Sequence, residues 1–143
     1  MRSHSTPFSE FAYPATPEEQ AVLAPIHSLL DAVAKRDREA MLDVLLPNGT
    51  MTIVRNGEVS QFDLAALADR LPGGTRTIEE RLYEPLIRID NDVAIVWARY
   101  EFLIDGKVEQ YGTDVFSLIY CDDRWLIASL AYNSQLSGRK VDA

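Results

Sequence analysis

Asp114 is the residue whose surroundings first suggest chemistry. It sits in the apolar run Gly112-Thr113-Asp114-Val115-Phe116-Ser117-Leu118, and the preceding run, Val93 to Ile104, carries Trp97, Arg99 and Glu101. Burial disfavours the charged form of a carboxyl group, which moves its pKa toward the range where it gives and takes protons. A guanidinium beside it would orient it for that task, or would hold it ionised and inert as a structural pair capping the core. Which residues meet Asp114 is a matter of strand register, and register is set by turns.

Asp105-Gly106 between two apolar runs is a two-residue hairpin signal, and Asp122-Asp123 supports a second one. The first turn pairs Ile104 with Lys107. Counting outward sets Trp97 opposite Asp114, Arg99 opposite Gly112 and Glu101 opposite Gln110. The second turn pairs Cys121 with Arg124 and sets Asp114 opposite Ala131 and Gly112 opposite Asn133. Directly paired residues share a face. One face is then apolar at one end and gathers Trp97, Arg99, Glu101, Gln110, Asp114 and Asn133 at the other. On this count Asp114 is the proton-transfer group and Arg99 is its orienting partner or an anion stabiliser. Asn133 is either a donor to a developing oxyanion or the residue that satisfies a strand end. Trp97 and Phe116 form an apolar wall, with Glu101 and Gln110 further out. The opposite face, with Ala94, Val96, Tyr100, Phe102, Val115 and Leu130, is too apolar to leave in water and reads as a subunit interface.

Two further residues join this candidate pocket conditionally. A three-residue turn at Asn91-Asp92 would bring Tyr83, Ile87 and Ile89 to the Trp97 face, whereas a two-residue turn would bring Leu86 and Arg88. His27 neighbours the apolar stripe of the first helix and either packs there or lines the pocket. With His4 and Cys121 as the remaining soft ligands, no metal spacing exists, and no phosphate loop or nucleophile motif is present. The chemistry expected is therefore cofactor-free.

The elements that must hold these residues follow from local signals. Thr16-Pro17-Glu18-Glu19 is a capping box with proline at the first helical position, opening a helix with Val22, Ile26, Leu29, Leu30 and Val33 on one stripe. Asp37 caps a second helix that runs through Leu45 and Leu46 and ends at Pro47-Asn48-Gly49. Asn56-Gly57 turns a small hairpin over residues 50–62. Asp63 caps a short third helix, and residues 76–90 form a long strand in which Pro85 marks a bulge or an edge. The domain is expected over 16–136, between an aromatic-bearing arm over 1–15 and a polar tail over 137–143.

The chain has 143 residues, 47% apolar and 25% charged, with a net charge of −8. That size suits one domain with its own core. The acidic balance argues against nucleic acid and against anionic membrane. A single cysteine, no transmembrane run and no secretory leader give a cytoplasmic expectation.

The order helix, helix, hairpin, short helix and long meander resembles the nuclear transport factor 2-like superfamily. Local matches are Ala34-Lys35-Arg36-Asp37 with Leu42-Asp43-Val44-Leu45-Leu46, and Gly112 to Leu118 followed by Asp123 to Ser129. The resemblance covers about residues 17–134 and implies an α+β fold, a curved mixed, mainly antiparallel sheet wrapped around N-terminal helices in a cystatin-like cone. It implies a homodimer through the outer sheet face and a pocket for a small apolar organic ligand. Relatives include ketosteroid isomerase, scytalone dehydratase, limonene epoxide hydrolase and SnoaL-like cyclases, and also binders and scaffolds without catalysis. The resemblance thus points to isomerase- or lyase-type acid–base chemistry, with a ligand-binding module or an interaction scaffold as the alternative.

Overall fold

The computed structural model describes residues 15–136. Helix α1 spans Pro17–Lys35; Thr16 accepts from the Glu19 backbone and the Glu19 side chain accepts from Thr16, so the capping box forms. Pro25 lies inside α1 without ending it. Helix α2 is shorter than its apolar pattern suggested, Arg38–Asp43, capped by Asp37. Leu45 and Leu46 instead open strand β1, Leu45–Arg55. The β-branched and apolar run that follows makes a better ladder than a third helical turn. Strand β2 spans Glu58–Asp63, then a 3₁₀ helix covers Leu64–Asp69, and β3 (Ile78–Asp90), β4 (Val93–Ile104), β5 (Lys107–Cys121) and β6 (Arg124–Leu136) complete the chain.

The six strands form one sheet in the order β2-β1-β6-β5-β4-β3. Every pairing is antiparallel except β1 with β6, which makes the sheet mixed. Helix α1 packs across the concave side against β3 and β6. The core lies between them, built from Val22, Ile26, Leu29 and Val33 of the helix and from Met51, Ile53, Leu82, Val96, Phe116, Leu118 and Ile127 of the sheet. This is the α+β cone with N-terminal helices held inside a curved sheet.

The tight turns are where the sequence put them. Asn56-Gly57, Asp105-Gly106 and Asp122-Asp123 all adopt positive φ at both central positions, and Ile104 pairs with Lys107 and Cys121 with Arg124. The register then departs from simple counting. Leu103 faces Val108, but Phe102 faces Gln110, so Glu109 is an extra residue in β5. Leu118 faces Ile127 while Ser117 faces Ser129, so Ala128 is an extra residue in β6. Each bulge shifts the pairing by one and exchanges the faces beyond it. Trp97 is consequently opposite Val115, and Asp114 lies between Ala98 and Tyr132.

The turn at Asn91-Asp92 has two residues, so Leu86 does pair with Trp97 and Arg88 with Ile95. A third bulge at Glu84-Pro85 brings Tyr83 opposite Arg99 all the same. The apolar set Ala94, Val96, Ala98, Tyr100 and Phe102, expected at a subunit interface, is instead buried in the core, as is Leu130. The outer face carries Leu86, Ile95 and Trp97, with Trp97 53% exposed.

Candidate functional site

The cone encloses a cavity of about 320 Å³ between α1, the 3₁₀ helix and the inner face of the sheet. Leu29, Leu30 and Val33 of α1, Leu67 and Leu71 beyond it, and Phe102, Phe116 and Leu130 of the sheet give it apolar walls. Arg36, at the left-handed end of α1, donates to the carbonyls of Pro72 and Arg76 and so pins the loop whose Pro72 closes one side. The exposed lining residues Arg70, Glu109 and Leu136 mark the opening; buried Asp114 and Phe116 mark the floor.

Asp114 is 2% exposed. The carboxyl group of Glu80, reaching in from β3, adjoins it. Burial raises the Asp114 pKa first, and the Glu80 charge and the hydrogen bond between the two raise it further, well above the usual carboxylate range. Glu80 is also raised by burial, while hydrogen bonding from Asp114 favours its ionised form. Two carboxyls so close resist ionising together in a desolvated site, and burial raises both, Asp114 well above its usual range. Its Oδ2 has no hydrogen-bond partner among the described residues.

Around this pair stand Tyr100 and Tyr132, edge to face with ring centroids 5.7 Å apart. The Tyr100 hydroxyl donates to the Asn133 carbonyl at 2.9 Å. Burial pushes both phenols up, so both stay protonated at neutral pH. Arg55, Gln110 and Ser134 occupy the end of the cavity near the β1–β2 hairpin. Arg55 Nη2 donates to Gln110 Oε1 at 3.2 Å and to Ser134 Oγ at 3.4 Å, and the Ser134 hydroxyl donates to Gln110 Oε1 at 2.5 Å. Among the described residues no cluster of three or more His, Cys, Asp or Glu could hold a metal ion.

Of the residues singled out from sequence, Asp114, Gln110 and Phe116 line this cavity. The others do not meet them. Arg99 lies on the outer face and pairs with Glu84 at 3.1 Å, so the expected Arg99–Asp114 pair is replaced by a surface ion pair. Glu101 accepts from the Tyr83 hydroxyl at 2.5 Å, and Tyr83, Arg99 and Glu101 line a separate outer cleft. Trp97 is on the same outer face. Asn133 also faces outward; its Oδ1 accepts from the Thr113 amide at 2.8 Å. Its own backbone crosses so near Gly112 that a Cβ there would lie 2.2 Å from the Asn133 carbonyl oxygen. His27 lines a surface cleft with Asp31, Glu79 and Glu80, and burial lowers its pKa. The physical reason for the regrouping is the Glu109 bulge. It leaves Trp97, Arg99 and Glu101 on one face and places Gln110, Asp114 and Phe116 on the other.

Glu80, Arg55, Arg70, Tyr100 and Tyr132 complete the cavity and were not singled out from sequence. A signal existed for two of them. Met51, Ile53 and Arg55 alternate, as do Ile78, Glu80 and Leu82, so each charge sits on the buried parity of its strand.

The model of a family described as "putative lumazine-binding" matches residues 17–133. The chain belongs to this family. No curated protein matches the sequence. Among solved structures, a "putative calcium/calmodulin dependent protein kinase II association domain" from Xanthomonas campestris is 21% identical, with a TM-score of 0.70 over 94% of this chain and 98% of that one. A nuclear transport factor 2-like protein with a cystatin-like fold from Novosphingobium aromaticivorans is 14% identical, with a TM-score of 0.66 over 85% and 83%. A protein of unknown function from Mycobacterium tuberculosis is 20% identical, with a TM-score of 0.66 over 82% and 72%. At these identities the likeness is one of fold: this family member has the nuclear transport factor 2-like cone. Among its described residues no helix is long and apolar enough to cross a membrane.

Proposed function

We propose that this protein binds a small ring-containing organic molecule in the cone and moves a proton on it. The observation that supports this is the pair of buried Asp114 and half-buried Glu80, carboxyls whose pKa values burial raises, lining an apolar cavity of about 320 Å³. A volume at the small end of ligand sites (about 300–1,000 Å³) suits a compact ring system rather than a chain or a peptide. Glu80 is the base and Asp114 the acid. Glu80 takes a proton from a carbon beside a carbonyl, protonated Asp114 returns one, and Tyr100 and Tyr132 crowd the ring edge-on. This is isomerase- or lyase-type chemistry without a cofactor.

The family's description favours a second reading, in which the same cavity holds a lumazine-like pteridinedione without turnover. One experiment separates the two. Lumazine and a panel of cyclic ketones are tested for binding by calorimetry, and the ketones are followed by NMR in D₂O for exchange at the carbon beside the carbonyl. Exchange that Asp114→Asn or Glu80→Gln slows by about 10²-fold or more supports catalysis. Binding with no exchange above the buffer rate removes the catalytic reading and leaves the binding one.

The outer sheet face, with Trp97, Ile95 and Leu86 exposed, is the surface through which we place a homodimer.

A further inference from the structure

We infer that Arg55 and Arg70 form an anion subsite within the cavity, so that the ligand carries one planar oxyanion, a carboxylate or an ionised ring imide or enol, on its ring. This rests on the cavity being a small-molecule site, and it replaces the plain apolar ligand suggested by the sequence with an amphipathic one.

The charge pattern supports it. The chain is acidic, with a net charge of −8. Arg38, Arg76, Arg81, Arg99 and Arg124 each pair with a carboxylate on the surface. Arg55 and Arg70, the two that line the cavity, make no ion pair among the described residues. Arg55 is held by neutral partners, Gln110 Oε1 and Ser134 Oγ. Its Nε–H is buried with no acceptor among the described residues. A guanidinium fixed by one amide and one hydroxyl keeps its charge and most of its donor fork for something else. Arg70 is positioned separately, its guanidinium carbon 4.0 Å above the Phe62 ring.

Both arginines line the same cavity as Tyr132, Glu80 and Asp114. Arg55 is bonded to Gln110 and Ser134, and Arg70 stands at the opening, whereas the carboxyl pair lies at the floor. The cavity thus has a basic part and an acidic part, and Tyr132 lines it with both. Apolar Phe116, Leu130 and Leu67 lie along the wall. A flat ring fits that wall, with its oxyanion between Arg55 and Arg70 and its far edge at the carboxyl pair. The reverse orientation would set an anion against Glu80. The cavity thus fixes which end of the ring meets the proton-transfer pair, since planar oxyanions suit guanidinium forks.

The test uses 2-naphthoate and its neutral isostere 2-naphthamide as calorimetric probes on the full chain, with lumazine alongside. The expected result is naphthoate binding about tenfold or more tighter than naphthamide, a preference that raised salt weakens. Arg55→Gln should abolish most of that preference while changing naphthamide affinity by less than about twofold. Arg55→Lys, which keeps charge but not the fork, should fall between. Equal affinity for the two probes, or an equal loss of both in Arg55→Gln, overturns the anion subsite while leaving the cavity a ligand site. Failure of all three probes to bind overturns the ligand-site reading itself. Circular dichroism of each variant identifies one that has not folded, and the salt dependence of the unaltered protein then decides.

Discussion

The two faces of the one six-stranded sheet treat charge in opposite ways. On the outer face exposed Arg99 meets exposed Glu84, and half-buried Glu101 accepts from the Tyr83 hydroxyl, so each charge is satisfied by a neighbour. On the inner face Arg55 has only neutral partners and Asp114 keeps a proton in order to be there. The two faces belong to one sheet, and side chains alternate between them along every strand, so the difference is one of solvation. Outside, water makes ion pairs cheap and weak; inside, each uncompensated group alters its protonation or awaits a partner. The contrast says where to look for function: not where charged residues pair, but where they are buried and do not.

That contrast can be broken most forcefully at Phe116, a fully buried side chain on the cavity floor. Phe116→Ala should cost about 3–5 kcal/mol of unfolding free energy in a urea titration, against about 0.5 kcal/mol or less for a surface change such as Arg88→Ala. Similar losses would mean that the inner face is no better packed than the outer one.

The next effect is on pH dependence. Asp114 has a folded-state pKa raised above its unfolded value, so the native state binds the extra proton. Its contribution to stability is fully present below the unfolded pKa, about 4, and is lost as pH rises from there through the folded value. Asp114→Asn, which mimics the protonated form, should therefore flatten the fall in melting temperature above pH 4 and gain most at neutral and higher pH. Parallel curves for the two proteins would show that Asp114 is ionised in the fold.

On the outer face, through which we propose a homodimer, Trp97→Asp should lower the mass seen in light scattering toward that of the monomer with little loss of fold, since Trp97 is exposed within the subunit. An unchanged mass would take the interface off this face. Smallest of all, Arg99→Ala and Glu84→Ala should each cost about 0.2–1 kcal/mol, diminished further by salt, as expected of an exposed pair.

Much of the fold was legible because its signals are local. The Thr16-Glu19 capping box, the Asn56-Gly57 and Asp105-Gly106 turns and the Pro85 bulge each express a backbone preference of the residues themselves. The site was only half legible, because its composition depends on strand parity over ten residues. Glu109 and Ala128 are ordinary strand residues, and neither advertises a bulge. Missing them joined Arg99 to Asp114 on paper and hid the buried parity of Tyr100 and Tyr132. Glu80 and Arg55 were visible in principle, as charges standing where alternation calls for apolar side chains.

Glu109 also bears on how such a chain can change over generations. A length change in a surface turn is usually harmless, because it alters no pairing beyond itself. Removing this one residue would be as harmless to the site: the bulge closes, Gln110 follows Val108 and still faces Phe102, and Asp114 stays opposite Ala98. A strand that kept every residue but paired without the bulge would instead turn Asp114 and Phe116 toward the solvent side. Sequence comparisons that place a gap at residue 109 will still align lining with lining.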